Sequence, residues 1–211
     1  MKAWHAALVG IMFLLTFARP TLAEIPAASS QPLSNLALLF PNFAQLPPGM
    51  VLVEEGSRSA AEIAATFRDP IDAAQVLSTW GWTVNTYRTY VAGPGAGPDT
   101  PARLEVSLHQ FASNTGAAYA LPHFAHGRAV MLDLQEGPVG LLRPCEAAVT
   151  GTQEATRYLR SGDLLVRVTA VMPNGAPANA YYLALGWATD VAYAVLGNAG
   201  GSAQELDQTC R

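Results

Sequence analysis

The sequence predicts an α+β domain in which an antiparallel sheet has helices packed on one face. Segments rich in β-branched and aromatic residues occur in adjacent pairs, at 83–91 with 103–111 and on both sides of "SGD" at 161–163. Such pairs are typical of antiparallel hairpins. Each pair precedes an alanine-rich segment long enough for a helix, and half of the 211 residues are apolar. This composition suits one domain with a substantial core.

Residues 1–23 have the features of an export signal. Lys2 supplies a positive start, residues 6–17 form an apolar core, and the small residues of "TLA" precede Glu24. The apolar run is shorter than the roughly 20 residues that a membrane span needs. We expect cleavage before Glu24 and a secreted or periplasmic protein with no stable membrane span after signal removal. The alternative is a chain tethered to the membrane by an uncleaved N-terminal segment.

Residues 24–48 are expected to form a linker and one short N-terminal helix, and residues 49–211 a single domain. The segment "MVLVEEG" at 50–56 predicts its first strand.

Two helix starts follow this strand. Ser59 has Glu62 three residues later, which is the pattern of a capping box. Asp69 is followed directly by Pro70, which predicts an N-cap and the first residue of a second helix.

The remaining elements are two hairpins and two longer helices. "TVNTYRTYV" (83–91) and "RLEVSLHQF" (103–111) predict strands joined by a flexible loop at 92–101. A helix is expected at about 113–128, and another at about 177–196 after the second hairpin.

The two hairpins show internal sequence similarity. Shifted by sixty residues, Leu104, Val106 and Leu108 fall on Leu164, Val166 and Val168. The order of elements predicts two repeated strand–strand–helix units, with two generic amphipathic hairpins as the alternative.

Charge and cysteine content limit the chemistry. Removal of residues 1–23 takes away the single lysine and one arginine of 12 basic residues, which leaves 10 arginines against 16 acidic residues. Lysine chemistry is then excluded, and an acidic chain without basic runs is a poor nucleic-acid binder. The two cysteines, Cys145 and Cys210, predict one structural disulfide in an oxidising compartment.

Three of the four histidines lie close together, at His109, His123 and His126. Alternation along the strand puts His109 on the face opposite an apolar stripe, and the following helix is expected to bury its own apolar side against that stripe. His123 and His126 then project into water, so the three imidazoles do not converge. No metal site and no cofactor are expected. The stripe consists of Leu104, Val106 and Leu108, and the helix side of Ala117, Leu121, Phe124 and Ala125.

Several segments resemble those of uncharacterised exported bacterial proteins: "LPPGM", the "FRDP…WGW…Y" block and the "EVSLHQFAS…AAYAL" turn from strand to helix. The general plan is similar to PsbP-like and LpqN-like modules and to extracellular sensor domains of bacterial Ser/Thr kinases. The resemblance covers roughly residues 46–196. It implies a binding or accessory module and supplies no catalytic residues.

The expected function is therefore that of an exported, non-enzymatic binding or accessory module for an unknown protein or small polar ligand. The candidate ligand-binding residues are Tyr87, Glu105, His109 and Arg167, on a sheet face that the helices leave open. A structural envelope-associated protein without a ligand and an uncharacterised hydrolase are the alternatives. If the open face does not bind, the loop at 93–98 is the next candidate.

Overall fold

The computed structural model describes residues 35–134, 140–177 and 179–201. Seven strands and four α-helices lie within these ranges. The strands are β1 (Met50–Gly56), β2 (Trp82–Ala92), β3 (Arg103–Phe111), β4 (Leu141–Arg143), β5 (Glu146–Thr150), β6 (Glu154–Ser161) and β7 (Leu164–Val171). The helices are α1 (Ala60–Ala64), α2 (Pro70–Thr79), α3 (Asn114–Met131) and α4 (Tyr181–Asn198).

The strands form one antiparallel sheet in the order β1-β2-β3-β7-β6-β5-β4. The predicted α+β class with an antiparallel sheet is confirmed. The strands predicted at 50–56 and 103–111 have those same bounds, while β4 and β5 were not predicted. Gly162 adopts a φ of 58° in the turn between β6 and β7, which is the left-handed conformation that a tight hairpin requires.

Both predicted helix starts are confirmed. The Ser59 side chain accepts a hydrogen bond from the backbone of Glu62, and the Glu62 carboxylate accepts one from the backbone of Ser59. Asp69 accepts from the backbone N–H groups of Ile71 and Asp72. Both caps satisfy backbone donors that the first helical turn leaves without partners.

Helices cover both faces of the sheet, whereas the sequence placed them on one. Leu104, Val106 and Leu108 pack with α4, and we call this side the α4 face. The opposite side packs with α1, α2 and α3 through residues such as Phe111 and Leu165, and we call it the α3 face. The prediction that α3 packs on the stripe at Leu104, Val106 and Leu108 is wrong.

The physical reason lies in the competition between two helices for one apolar face. The α4 helix is apolar around most of its circumference and buries Ala184, Ala188, Val191, Ala192, Val195 and Leu196 against the stripe. The α3 helix is richer in alanine and packs on the smaller, mixed surface of the other face. A short turn after β3 is compatible with either face, so the sequence of that turn did not decide between them.

The two strand–strand–helix units occur in the predicted order, as β2-β3-α3 and β6-β7-α4. Their apolar stripes, including Leu104 and Leu164, lie on the same face of the sheet. The two helices, however, lie on opposite faces. A rotation that superposes the antiparallel hairpins therefore does not superpose the helices that follow them.

The residues before β1 belong to the same core. Two short 3-10 helices, Asn35–Leu38 and Phe43–Gln45, precede the sheet. Leu36, Phe40 and Leu46 are buried in the cluster on the α4 face. Among the helices of the described ranges, none combines the length and the apolar composition of a membrane span. The predicted signal at 1–23 lies outside these ranges.

Candidate functional site

The four residues predicted from the sequence, Tyr87, Glu105, His109 and Arg167, all lie on the α3 face. Register and alternation place them there, because Tyr87 pairs with Ser107 on β3 and Arg167 pairs with Ser107 from the other side. The face is not open as predicted: α3 covers the His109 end of it, and His109 has no exposed surface. The other three residues lie at or near the uncovered part.

Glu105 is the centre of an ion-pair cluster. Its carboxylate contacts Arg58 at 3.3 Å, Arg103 at 3.0 Å and Arg167 at a shorter distance. Burial raises the pKa of Glu105, but the guanidiniums of Arg167, Arg58 and Arg103 outweigh burial and lower the pKa below its usual value. The carboxylate is therefore ionised at neutral pH, and three arginines share it.

Tyr87 joins this cluster through Arg58. The guanidinium of Arg58 lies 3.7 Å from the centre of the Tyr87 ring, which is a cation–π arrangement. The Tyr87 hydroxyl donates to Glu54 at 2.6 Å, and this hydrogen bond is the main cause that raises the pKa of the phenol.

A pocket of about 140 Å³ opens beside Glu105, where β3, β7 and β6 meet the last turns of α3. We call it the arginine pocket; its polar lining residues are Arg103, Glu105, Arg128, Glu154, Arg167 and Thr169. Arg128 comes from α3 and forms an ion pair with Glu154 on β6. Together with Arg58, four guanidiniums surround only two carboxylates.

The donors of this pocket outnumber its acceptors. Each arginine carries five N–H donors, and a carboxylate offers about four lone-pair positions. The Nε atoms of Arg128 and Arg167 are buried, and neither has an acceptor among the described residues. A buried donor without an acceptor costs about 1–3 kcal/mol. The excess of guanidinium donors over carboxylate acceptors suits an anion in the pocket.

Sequence reasoning missed Arg58 and Arg128. Arg58 directly precedes the N-cap Ser59, and Arg128 is the basic residue in the last turn of α3. Both reach the site only through the packing of α1 and α3 on the sheet, so a pattern along one strand does not reveal them.

His109 belongs to a buried hydrogen-bond chain instead of the ligand site. Trp82 Nε1 lies 3.3 Å from His109 Nδ1, and His109 Nε2 lies 3.2 Å from Ser107 Oγ. Indole is only a donor, so Nδ1 accepts and the proton of the neutral imidazole resides on Nε2. Burial, with smaller contributions from Arg167 and Arg58, lowers the pKa of His109 well below 6.5.

This tautomer prevents His109 from acting as a base toward Ser107. A serine nucleophile needs a base nitrogen with a lone pair directed at its hydroxyl, but Nε2 already carries its proton. Ser107 and His109 are also fully buried. Ser107 instead accepts a hydrogen bond from Asn85 Nδ2 at 2.8 Å, which completes a polar network inside the sheet.

Of the other two histidines, His123 differs from prediction and His126 does not. The His123 ring is half-buried between Phe67 and Trp80, at centroid distances of 4.8 Å and 5.1 Å, because α1 and α2 cover that side of α3. His126 is exposed as predicted. Across the described ranges, no group of three or more His, Cys, Asp or Glu side chains is arranged to hold a metal ion.

Cys145 is buried, and its sulfur accepts a hydrogen bond from Arg160 at 3.2 Å. The predicted partner, Cys210, lies outside the described residues. Gly201, the last described residue, lies beside Ser161. A β-carbon at position 201 would be 3.8 Å from the hydroxyl oxygen of Ser161. The nine residues from there to Cys210 can span roughly 30 Å. The disulfide is therefore sterically reachable and stays a prediction.

Two other surfaces are weaker candidates. A concavity of about 940 Å³ at the end of α3 has Arg68 and Asp133 as its charged lining residues. The loop at 93–98 packs against the start of β1, where Gly93 donates to the carbonyl of Gly49 at 2.8 Å. Neither gathers charged groups as the arginine pocket does.

Comparison with protein-family models and with curated proteins gave no match. Among solved structures, the chain is similar to the extracellular domain of PknH from Mycobacterium tuberculosis. The two share 10% sequence identity over 77% of this chain and 95% of that chain, with a TM-score of 0.44. A likeness of this size assigns neither a family nor a ligand to the chain.

Proposed function

We propose that this chain is an exported, non-enzymatic module that binds an anionic ligand at the arginine pocket. One observation carries the proposal: four guanidiniums share two carboxylates, and two buried Nε donors have no acceptor within the described ranges. Such a local surplus of positive charge is unusual in a chain whose net charge is −4. Guanidinium groups bind carboxylate and phosphate oxygens through paired hydrogen bonds, so the pocket suits anion recognition.

The non-enzymatic part of the proposal is supported by the chemistry of the same face. Its serine and histidine are buried, and the histidine carries its proton on the nitrogen that faces the serine. The exported part rests on the signal-like residues 1–23.

A purely structural role is the second candidate, because every arginine of the pocket also forms an ion pair within the chain. The pair Arg128–Glu154 ties α3 to β6, and Arg167–Glu105 joins β7 to β3. In this case the ion pairs hold α3 on the sheet, and no ligand is needed.

Thermal unfolding with a panel of anions separates the two roles. The probes are acetate, succinate, inorganic phosphate and sulfate at equal ionic strength, with glucose as a neutral control. A ligand at 100 times its Kd stabilises a protein by about 2.7 kcal/mol, which for a chain of this length raises the melting temperature by roughly 5–10 °C.

The variant for this test is Arg103→Gln, because the Arg103 side chain is 54% exposed and its loss should spare the fold. The matched control is Arg143→Gln, which removes the same charge from the edge strand β4. Stabilisation that is lost in the first variant and kept in the second supports the proposal. No stabilisation by any anion, or equal stabilisation of both variants, refutes it in favour of the structural role.

A further inference from the structure

We infer that the arginine pocket seats one dianionic tetrahedral oxyanion, either free phosphate or sulfate or the phosphate group of a small monoester. This inference rests on the proposed function of the same pocket and adds the chemical class of the ligand. Size, donor geometry and charge support it independently.

The pocket has room for one group and little more. Pockets that enclose a drug-sized molecule measure roughly 300–1,000 Å³, whereas this one measures about 140 Å³. A compact oxyanion fits such a volume, and any larger ligand inserts only its charged end.

The donors with no acceptor come from opposite walls of the pocket. Arg167 projects from β7 in the sheet, and Arg128 projects from α3 above it. Both side chains use an Nη2 atom to bind a glutamate, while their buried Nε atoms have no acceptor in the described part of the chain. A guanidinium has five N–H donors, so each side chain keeps donors besides the one that binds glutamate. A group with acceptor oxygens in several directions contacts guanidiniums on both walls, and a phosphate group has three such oxygens. A planar carboxylate offers two.

Charge favours a dianion over a monoanion. Arg103, Arg128 and Arg167 line the pocket and carry one more charge than Glu105 and Glu154 neutralise. Arg58 contacts Glu105 from outside the lining and raises the difference to two. A phosphate monoester carries between about −1.5 and −2 at pH 7, which matches this difference. A single carboxylate leaves one guanidinium charge without a counter-charge in a partly buried site.

Titration calorimetry of the folded protein tests the class of ligand. At pH 7, inorganic phosphate, sulfate and glycerol 3-phosphate should each bind at least tenfold more tightly than acetate. Equal affinity for phosphate and glycerol 3-phosphate indicates that free oxyanion is sufficient. A tenfold preference for the monoester indicates that the organic part contacts residues beside the pocket. Both results support the inference and distinguish the two sources of the group.

The pH dependence identifies the charge state that binds. A phosphate monoester has its second pKa near 6, so at pH 5 only about a tenth of it is dianionic. Glycerol 3-phosphate should therefore bind about tenfold more weakly at pH 5 than at pH 7, while sulfate, which stays dianionic, should not. Circular dichroism at both pH values confirms that the protein is folded. If the affinities for glycerol 3-phosphate and sulfate change equally between pH 7 and pH 5, the cause lies in the protein, and the inference is overturned.

Two substitutions in the pocket make opposite predictions. Arg167→Lys keeps the positive charge but loses the planar fork, and it should weaken phosphate binding at least tenfold. Glu154→Gln removes the internal negative charge that competes for Arg128, and it should tighten phosphate binding at least threefold. Arg143→Gln is the control and should leave the affinity for phosphate unchanged. A purely structural pocket would show destabilisation in the first two variants and no gain of affinity in the second.

Failure of the inference is distinguishable from failure of the proposed function. If acetate or succinate binds as tightly as phosphate and Arg103→Gln abolishes that binding, the pocket is an anion site and the dianion class is wrong. If no probe binds, both the inference and the proposed function are refuted.

Discussion

Replacing His109 with alanine tests the corrected orientation of the sheet. On an open face, this substitution would cost at most about 0.5 kcal/mol in the free energy of unfolding. In the structure the imidazole is fully buried, its ring centre is 4.7 Å from that of Phe124, and it accepts from Trp82. Truncation of a buried side chain and the loss of its hydrogen-bond partners together cost about 3 kcal/mol at pH 7.5.

The pH dependence of this cost has a definite sign. Burial lowers the pKa of His109 in the folded state well below 6.5, so the unfolded chain takes up a proton first as the pH falls. The histidine's contribution is thus fully present above the unfolded pKa and decreases below it. Between pH 7.5 and 5.5, a group that stays neutral in the folded state loses roughly 1 kcal/mol. The difference in stability between wild type and His109→Ala should therefore shrink from about 3 to roughly 2 kcal/mol.

Urea denaturation followed by tryptophan fluorescence at the two pH values measures this difference. The matched control is His126→Ala, because His126 is exposed. Loss of an exposed side chain should cost less than about 0.5 kcal/mol at either pH. Other titrating groups, including His123, are present in both proteins and cancel in the comparison. If His109→Ala costs no more than this control at pH 7.5, or if its cost does not change with pH, the buried, neutral imidazole is contradicted.

Three further predictions concern processing, cross-linking and metal content. Mass spectrometry of the exported protein should show a chain that begins at Glu24, and a chain that begins at Met1 would contradict the signal. Cys145 and Cys210 should give no thiol titre in unfolded, unreduced protein, and reduction should lower stability by about 4 kcal/mol; two titratable thiols would rule out the bond. Treatment with a chelator should leave the melting temperature unchanged, and a stoichiometric metal in purified protein would refute this.

The elements that the sequence predicted correctly are those that local interactions specify. The caps at Ser59 and Asp69 depend on side chains within three residues of the helix start. The bounds of β1 and β3 follow from runs of strand-forming residues between turn signals. Prediction was weaker for β4 and β5, because β4 has three residues and β5 has two alanines in place of β-branched residues.

The choice of sheet face was beyond local reasoning. Alternation correctly separated Leu104 and Leu108 from Glu105 and His109, but it does not say which helix covers which side. That outcome depends on how well α3 and α4 each pack on the apolar stripe, and the more apolar α4 occupies it. Arg58 and Arg128 were not predicted for the same reason. They reach the site only because α1 and α3 pack on the polar face, and the sequence did not show which face these helices cover.

Side chains of β3 on the α3 face show why one sequence pattern has two roles. His109 has no exposed surface, the side chain of Glu105 is 13% exposed, and that of Arg103 is 54% exposed. All three lie at odd-numbered positions and so on the same face of the strand, and the strand pattern alone treats them alike. The exposure of these side chains differs because α3 packs over the His109 end of the strand and not over the Arg103 end. Substitutions near His109 should therefore act on stability, and substitutions near Arg103 on anion binding, although the two sites lie on a single strand.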